Sequence, residues 1–166
     1  MKAPRIWEIL LILGVIAFLA FLLFPSGGYP KSLAKRSACL SSVKRLSIST
    51  IIYAADFNDR FPNRDIWLDS ISPYVKTQDK LICPTIFAER NAQLYGYAFS
   101  GKLSNAKFPP KPETVPLVFE SINLAKNASG ELSSLPNPGR HPHSSGERGS
   151  NNIGYADGHA KSVPIQ

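Results

Sequence analysis

Three histidines and one carboxylate near the C-terminus, His141, His143, His159 and Asp157, are the residues best suited by type to hold a metal ion. Imidazole nitrogen and carboxylate oxygen both ligate transition metals. Two positions apart in an extended segment, His141 and His143 point to opposite faces. Asp157, before Gly158, also has a complete role as a turn residue. Calcium, which takes oxygen ligands, is a second candidate there, using Asp157 and loop carbonyls around residues 145–152. Asp56, Asn58, Asp59 and Asp65 form another oxygen-rich patch. It lacks the alternate ligands, glycine and distal glutamate of an EF-hand loop, and helix ending and turn formation account for it. Cys39 and Cys83 stand far apart. A zinc site needs close cysteine pairs or nearby histidines, so this spacing argues against one. Two buried thiols or one long-range disulfide remain, the latter requiring an oxidising compartment. No nucleophile elbow, phosphate loop or dinucleotide fingerprint is present, so no catalytic residue is assigned; an extracytoplasmic metal hydrolase would rest only on His141, His143, His159 and Asp157. No metal or other cofactor is assigned beyond these candidates.

The elements that must position these residues begin with an apolar run. From Ile6 to Phe24 only Glu8 is charged. At 1.5 Å per residue this run reaches roughly 28 Å, near the ~30 Å hydrocarbon thickness of a bilayer. Pro25, Gly27, Gly28 and Pro30 end it. The run is longer than the apolar core of a secretory signal, and no Ala-x-Ala-like cleavage site follows, so a retained anchor over residues 1–25 is expected. By position alone, Glu8 sits at the headgroup level. Lys2 and Arg5 precede the run; Lys31, Lys35, Arg36, Lys44 and Arg45 follow it. Taken alone, that balance places the rest of the chain in the cytoplasm.

Residues 26–166 suffice for one domain. A helix is expected over about 31–57, with Cys39, Val43, Leu46, Thr50, Tyr53 and Phe57 recurring at steps of four and three, and Lys44, Arg45 and Ser49 on the opposite side. A short helix is expected within Ile66–Val75, interrupted by Pro73, and strands at Lys80–Cys83, Tyr95–Ser100 and Val115–Ser121. Residues 123–150 read as a long surface loop. Asp157-Gly158 between two extended runs predicts a tight hairpin with both central residues at positive φ. The expectation is therefore an α+β domain: an amphipathic helix on a small antiparallel sheet. The net charge is +7, but no basic run interleaved with aromatics points to nucleic acid.

Several stretches together resemble a known family. RIWEILLILGVIAFLAFLLFP is similar to the N-terminal helix of type IV pilins and type II secretion pseudopilins, with Glu8 near the start of the apolar run and Pro25 seventeen positions later. AKRSACLSSVKRLSISTIIYAADFNDRFP, WLDSISPYV with ICP, YGYAFS, and the tail RHPHSSGERGSNNIGYADGHAK resemble bacterial prepilin-type proteins with a C-terminal His…Asp-Gly processing-associated motif. That tail motif maps here onto His143, Asp157 and Gly158, with thirteen residues between His143 and Asp157, a longer spacing than the subgroup's. Ala3 and Pro4 stand where family precursors are cut. A proline there is a poor peptidase substrate, which points to an uncleaved, pseudopilin-like relative.

The resemblance implies a pilin-like fold, in which the anchor and the amphipathic segment form the two halves of one long helix. It implies a single-pass inner-membrane protein with its C-terminal domain outside, against the charge count. It implies partners among other pilin-like subunits or secretion machinery, an assembly role for Glu8 and Pro25, and a Cys39–Cys83 disulfide. An alternative keeps the anchor but makes the domain a stand-alone binding module for a glycan, peptide or ion, using loop 123–150.

Overall fold

Leu46, Val43 and Cys39 lose all contact with water along one side of helix α2 (Tyr29–Asp56). Burying each large aliphatic side chain contributes about 1.5–3 kcal/mol. Ser42, Ser47, Thr50 and Ala54 are buried beside them, while Lys44 and Arg45 are exposed. Two positions depart from the periodic reading. Ser49 is buried, because its hydroxyl donates to the Tyr74 carbonyl (3.2 Å). Phe57 lies half exposed just past the helix, stacked on Tyr53.

This computed structural model describes residues 5–23, 29–76, 81–87, 94–141 and 149–165. Pro25, His143, the Ala3–Pro4 junction and residues 145–148, half of the 145–152 calcium candidate, lie outside the described residues. The chain divides into two compact units, Met1–Pro30 and Lys31–Gln166. The first contains helix α1 (Ile6–Leu23).

The second unit is α+β. Besides α2 it holds two short helices, α3 (Trp67–Ile71) and α4 (Pro84–Phe87), and five strands: β1 (Tyr97–Ser100), β2 (Pro116–Glu120), β3 (Ser129–Gly130), β4 (Ser150–Tyr155) and β5 (Ala160–Pro164). Their order is β3-β1-β2-β4-β5. The β1–β2, β2–β4 and β4–β5 pairings are antiparallel. β3 runs parallel to β1, so the sheet is mixed rather than wholly antiparallel. The parallel edge arises within loop 123–150, where Phe99 N–H donates to the Ala128 carbonyl (3.0 Å) and draws two loop residues alongside β1.

Lys80–Cys83 is not a strand over its described part. Pro84 instead opens α4, in keeping with proline's fitness for a first helical turn, where no backbone donor is needed. Both faces of the sheet are covered. Tyr97, Phe99, Leu117 and Val118 join the core beneath α2, and Ala98, Phe119, Ile153 and Tyr155 form a second cluster with Ala128 and Leu135.

Helix α2 approaches β4 closely at one point. A β-carbon on Gly154 would stand 2.1 Å from Ser47 Oγ and 3.0 Å from Val43 Cγ1. Both neighbours are buried, and overpacking of such a contact costs about 1–3 kcal/mol. Gly154→Ala should therefore lose roughly that much stability in a urea titration, with an unchanged m-value.

Candidate functional site

Glu120, at the end of central strand β2, has no solvent exposure. Its Oε1 is 2.7 Å from His141 Nε2 and accepts from Asn152 Nδ2 (3.1 Å); Oε2 accepts from the Asn152 backbone amide (2.8 Å). A buried carboxylate is tolerated only with such partners. His141 arrives from the end of loop 123–150. Two backbone hydrogen bonds to Ser150 (3.0 and 2.8 Å) hold it beside β4. Its neighbour Arg140 donates Nη1 to the Gly96 carbonyl (2.6 Å) and Nη2 to the Ser121 carbonyl (2.5 Å). Asn151 accepts from Arg140 N–H (2.9 Å) and donates to the Pro136 carbonyl (2.9 Å), closing the loop onto the sheet.

Above this pair, Cys39 of α2 and Cys83, ahead of α4, form a disulfide with a Cα–Cα distance of 5.5 Å. Cys83 Sγ lies 4.0 Å from Glu120 Oε1, and Cys39 Sγ 3.6 Å from Thr85 Oγ1. Cys39, Cys83, Glu120 and His141 thus converge from four parts of the chain, with their ligand atoms all within 4.8 Å of one another. One polar atom at its edge lacks a partner, Asn152 Oδ1. The Ser42 hydroxyl beside Tyr97 donates to the Ala38 carbonyl (3.1 Å). Burial pushes the Tyr97 phenol far above its ordinary pKa.

The histidine–aspartate set read from the tail is not assembled. Among the described residues His141 gathers with the cysteines and Glu120, not with Asp157 and His159. The latter two belong to the β4–β5 turn. His159 Nδ1 lies 2.6 Å from Asp157 Oδ1, and the His159 ring stacks on Tyr155 (4.3 Å between centroids). Burial alone would raise the Asp157 pKa, but hydrogen bonds from the His159 amide and ring outweigh it and hold the carboxyl below its usual range. The turn itself is not the two-residue form. Ala156, Asp157 and Gly158 form a three-residue loop in which only Gly158 takes positive φ (+90°), the bulged geometry with one glycine at its end.

The acidic patch has structural roles. Asp56 accepts from the Tyr74 hydroxyl (2.8 Å), Asn58 and Asp59 take left-handed φ where α2 ends, and Asp65 N–H donates to Asn63 Oδ1 (2.9 Å).

The sequence signal for Glu120 is a charged residue closing the apolar run of the strand expected at Val115–Ser121. Asn127 Oδ1 accepts from Leu68 N–H (2.8 Å), capping α3 from nearly sixty residues away. Asn127 also donates to Asp69 (2.8 Å), whose pKa is lowered by Lys126 and then by Asn127.

Glu120→Ala strands a buried imidazole and should cost about 3–5 kcal/mol of stability. Asp69→Ala, at the largely exposed Lys126 pair, should cost about 1 kcal/mol or less. Urea unfolding of the oxidised protein measures both. No protein-family model matches the chain, and no curated protein or solved structure shows significant similarity to it.

Proposed function

We propose that this chain is a non-enzymatic, membrane-anchored, pseudopilin-like subunit of a type IV pilus or type II secretion-like assembly, with its C-terminal domain outside the inner membrane. The observation that carries the reading is helix α1. Its large apolar side chains from Ile6 to Phe21 are 45–78 % exposed, on every side of the helix. A helix apolar all round belongs inside lipid or inside a bundle of other helices.

Among the described residues no helix is long and apolar enough to cross a membrane. α1 has 18 residues, and its rise of about 27 Å falls slightly short of the ~30 Å hydrocarbon thickness. The apolar sequence runs one residue further, to Phe24. Entry into a bilayer as one of several packed helices suits those dimensions. The Cys39–Cys83 disulfide suits an oxidising, extracytoplasmic compartment. The fold supports an α+β domain, and the pilin-like identity rests on the residues quoted for the resemblance.

Glu8 has a local role that the assembly reading must be separated from. Its Oε2 accepts from the Arg5 backbone amide (3.1 Å), the reach-back half of a capping box at the start of α1. Glutamine serves that cap equally well but carries no charge. A second reading, a tethered binding module, draws on a shallow cavity of about 330 Å³ lined by Leu132, Leu135, Pro136, Asn137 and Val163.

Glu8→Gln separates these possibilities. It should leave the chain in the membrane fraction and α1 intact, yet lower co-purification with other pilin-like subunits at least tenfold. Co-purification equal to wild type would reduce Glu8 to a helix cap and favour the tethered module.

A further inference from the structure

We propose that the domain, once its disulfide is reduced, binds one divalent transition metal ion of the zinc type between Cys39, Cys83, Glu120 and His141. This site is independent of the assembly reading. Widely spaced cysteines with no neighbouring histidine argued against zinc in the sequence, but the fold supplies the missing ligands. α2 brings Cys39, the segment before α4 brings Cys83, β2 brings Glu120 and the returning loop brings His141. All four are at most 2 % exposed.

The dimensions suit a tetrahedral ion. Zinc bonds of ~2.0 Å to nitrogen or oxygen and ~2.3 Å to sulfur place neighbouring ligand atoms about 3.3–3.8 Å apart. Cys83 Sγ and Glu120 Oε1 already stand 4.0 Å apart. Two contacts are closer: the sulfur–sulfur bond, and the 2.7 Å contact of His141 Nε2 with Glu120 Oε1. The four residues are thus closed as two pairs. Parting the imidazole and carboxylate by about 0.6 Å, and the two sulfurs after reduction by about 1.7 Å, leaves a centre for one ion. Two sulfurs, an imidazole and a carboxylate form a donor set that zinc accepts.

The surroundings resemble those that orient metal ligands. Asn152 holds the carboxylate through its amide N–H and its Nδ2, an arrangement of the outer-shell kind. Its own Oδ1 is buried without a partner, so the disulfide form leaves a polar group unused beside the node. Arg140 and Cys83 both lie against Gly96, where Arg140 Nη1 and Cys83 Cβ would be 3.0 and 3.5 Å from an added β-carbon. Two thiolates, one carboxylate and Zn²⁺ leave one net negative charge on the site.

The chemistry balances with a phosphine as reductant. Phosphine and water cleave the S–S bond, giving phosphine oxide and two thiols. The metal ion then displaces both thiol protons to solvent and binds neutral imidazole through Nε2.

The test is a Co²⁺ titration of the full chain in detergent micelles, before and after phosphine reduction. The expected result is one Co²⁺ per reduced chain, with tetrahedral ligand-field bands and thiolate charge-transfer absorption, discharged by Zn²⁺, and none in the oxidised chain. His141→Ala should weaken binding at least tenfold. X-ray absorption of the wild-type zinc form gives a check that needs no variant: two sulfurs with one nitrogen and one oxygen from the protein. No stoichiometric Co²⁺ in the reduced chain, binding by His141→Ala as tight as wild type, or a shell of sulfur and water alone would each overturn the proposal.

Discussion

Glu120 lies at the end of a central strand with no access to water, where an unpaired carboxylate would cost several kcal/mol. The elements around it are placed so that it is never unpaired. β4 presents the Asn152 backbone amide and side chain, and the end of loop 123–150 presents His141, clamped to Ser150 by two backbone bonds. Arg140 fixes the same loop to the carbonyls of Gly96 and Ser121. The Cys39–Cys83 bond then fastens α2 and the Cys83 segment over this pair. Loop, sheet and helix therefore meet at one node, and a change there is felt by all three.

Helix α1 obeys a different constraint. It buries almost none of its apolar side chains within its own chain, so its stability in water is not explained by its own packing. The folded domain buries its own core, whereas α1 leaves exposed an apolar surface of the kind that lipid or other helices cover. That division of labour underlies the reading of an anchored subunit. It also separates the two halves experimentally, since substitutions at Glu8 and at Glu120 address different surroundings.

Much of the domain was legible where one-dimensional pattern and three-dimensional burial coincide. α2 follows its apolar spacing, and β1, β2 and the β4–β5 hairpin lie within a residue or two of the alternating runs. Of the departures, the burial of Ser49 and the extra strand β3 share a cause, partners distant in sequence, whereas the Pro84 helix and the β4–β5 turn are local. Ser49 is buried by a bond to Tyr74, β3 exists because Phe99 binds Ala128, and Pro84 opens a helix rather than ending a strand. The β4–β5 turn takes three residues because only Gly158 adopts positive φ. The buried site was the least legible feature. Its four side chains come from four parts of the chain, and no spacing rule links Cys39, Cys83, Glu120 and His141. His141 was singled out as a metal candidate, but its neighbours are residues that no tail motif contains.

The central claim is that the native domain is locked by a bond between α2 and the Cys83 segment, over the buried carboxylate. The most direct measurement is peptide mapping of the full chain isolated from its native cells, with free thiols alkylated at lysis. The account predicts a single cross-linked species joining the Cys39 and Cys83 peptides, with no alkylation at either. Recovery of both peptides separately, each fully alkylated and from metal-free protein, would contradict it.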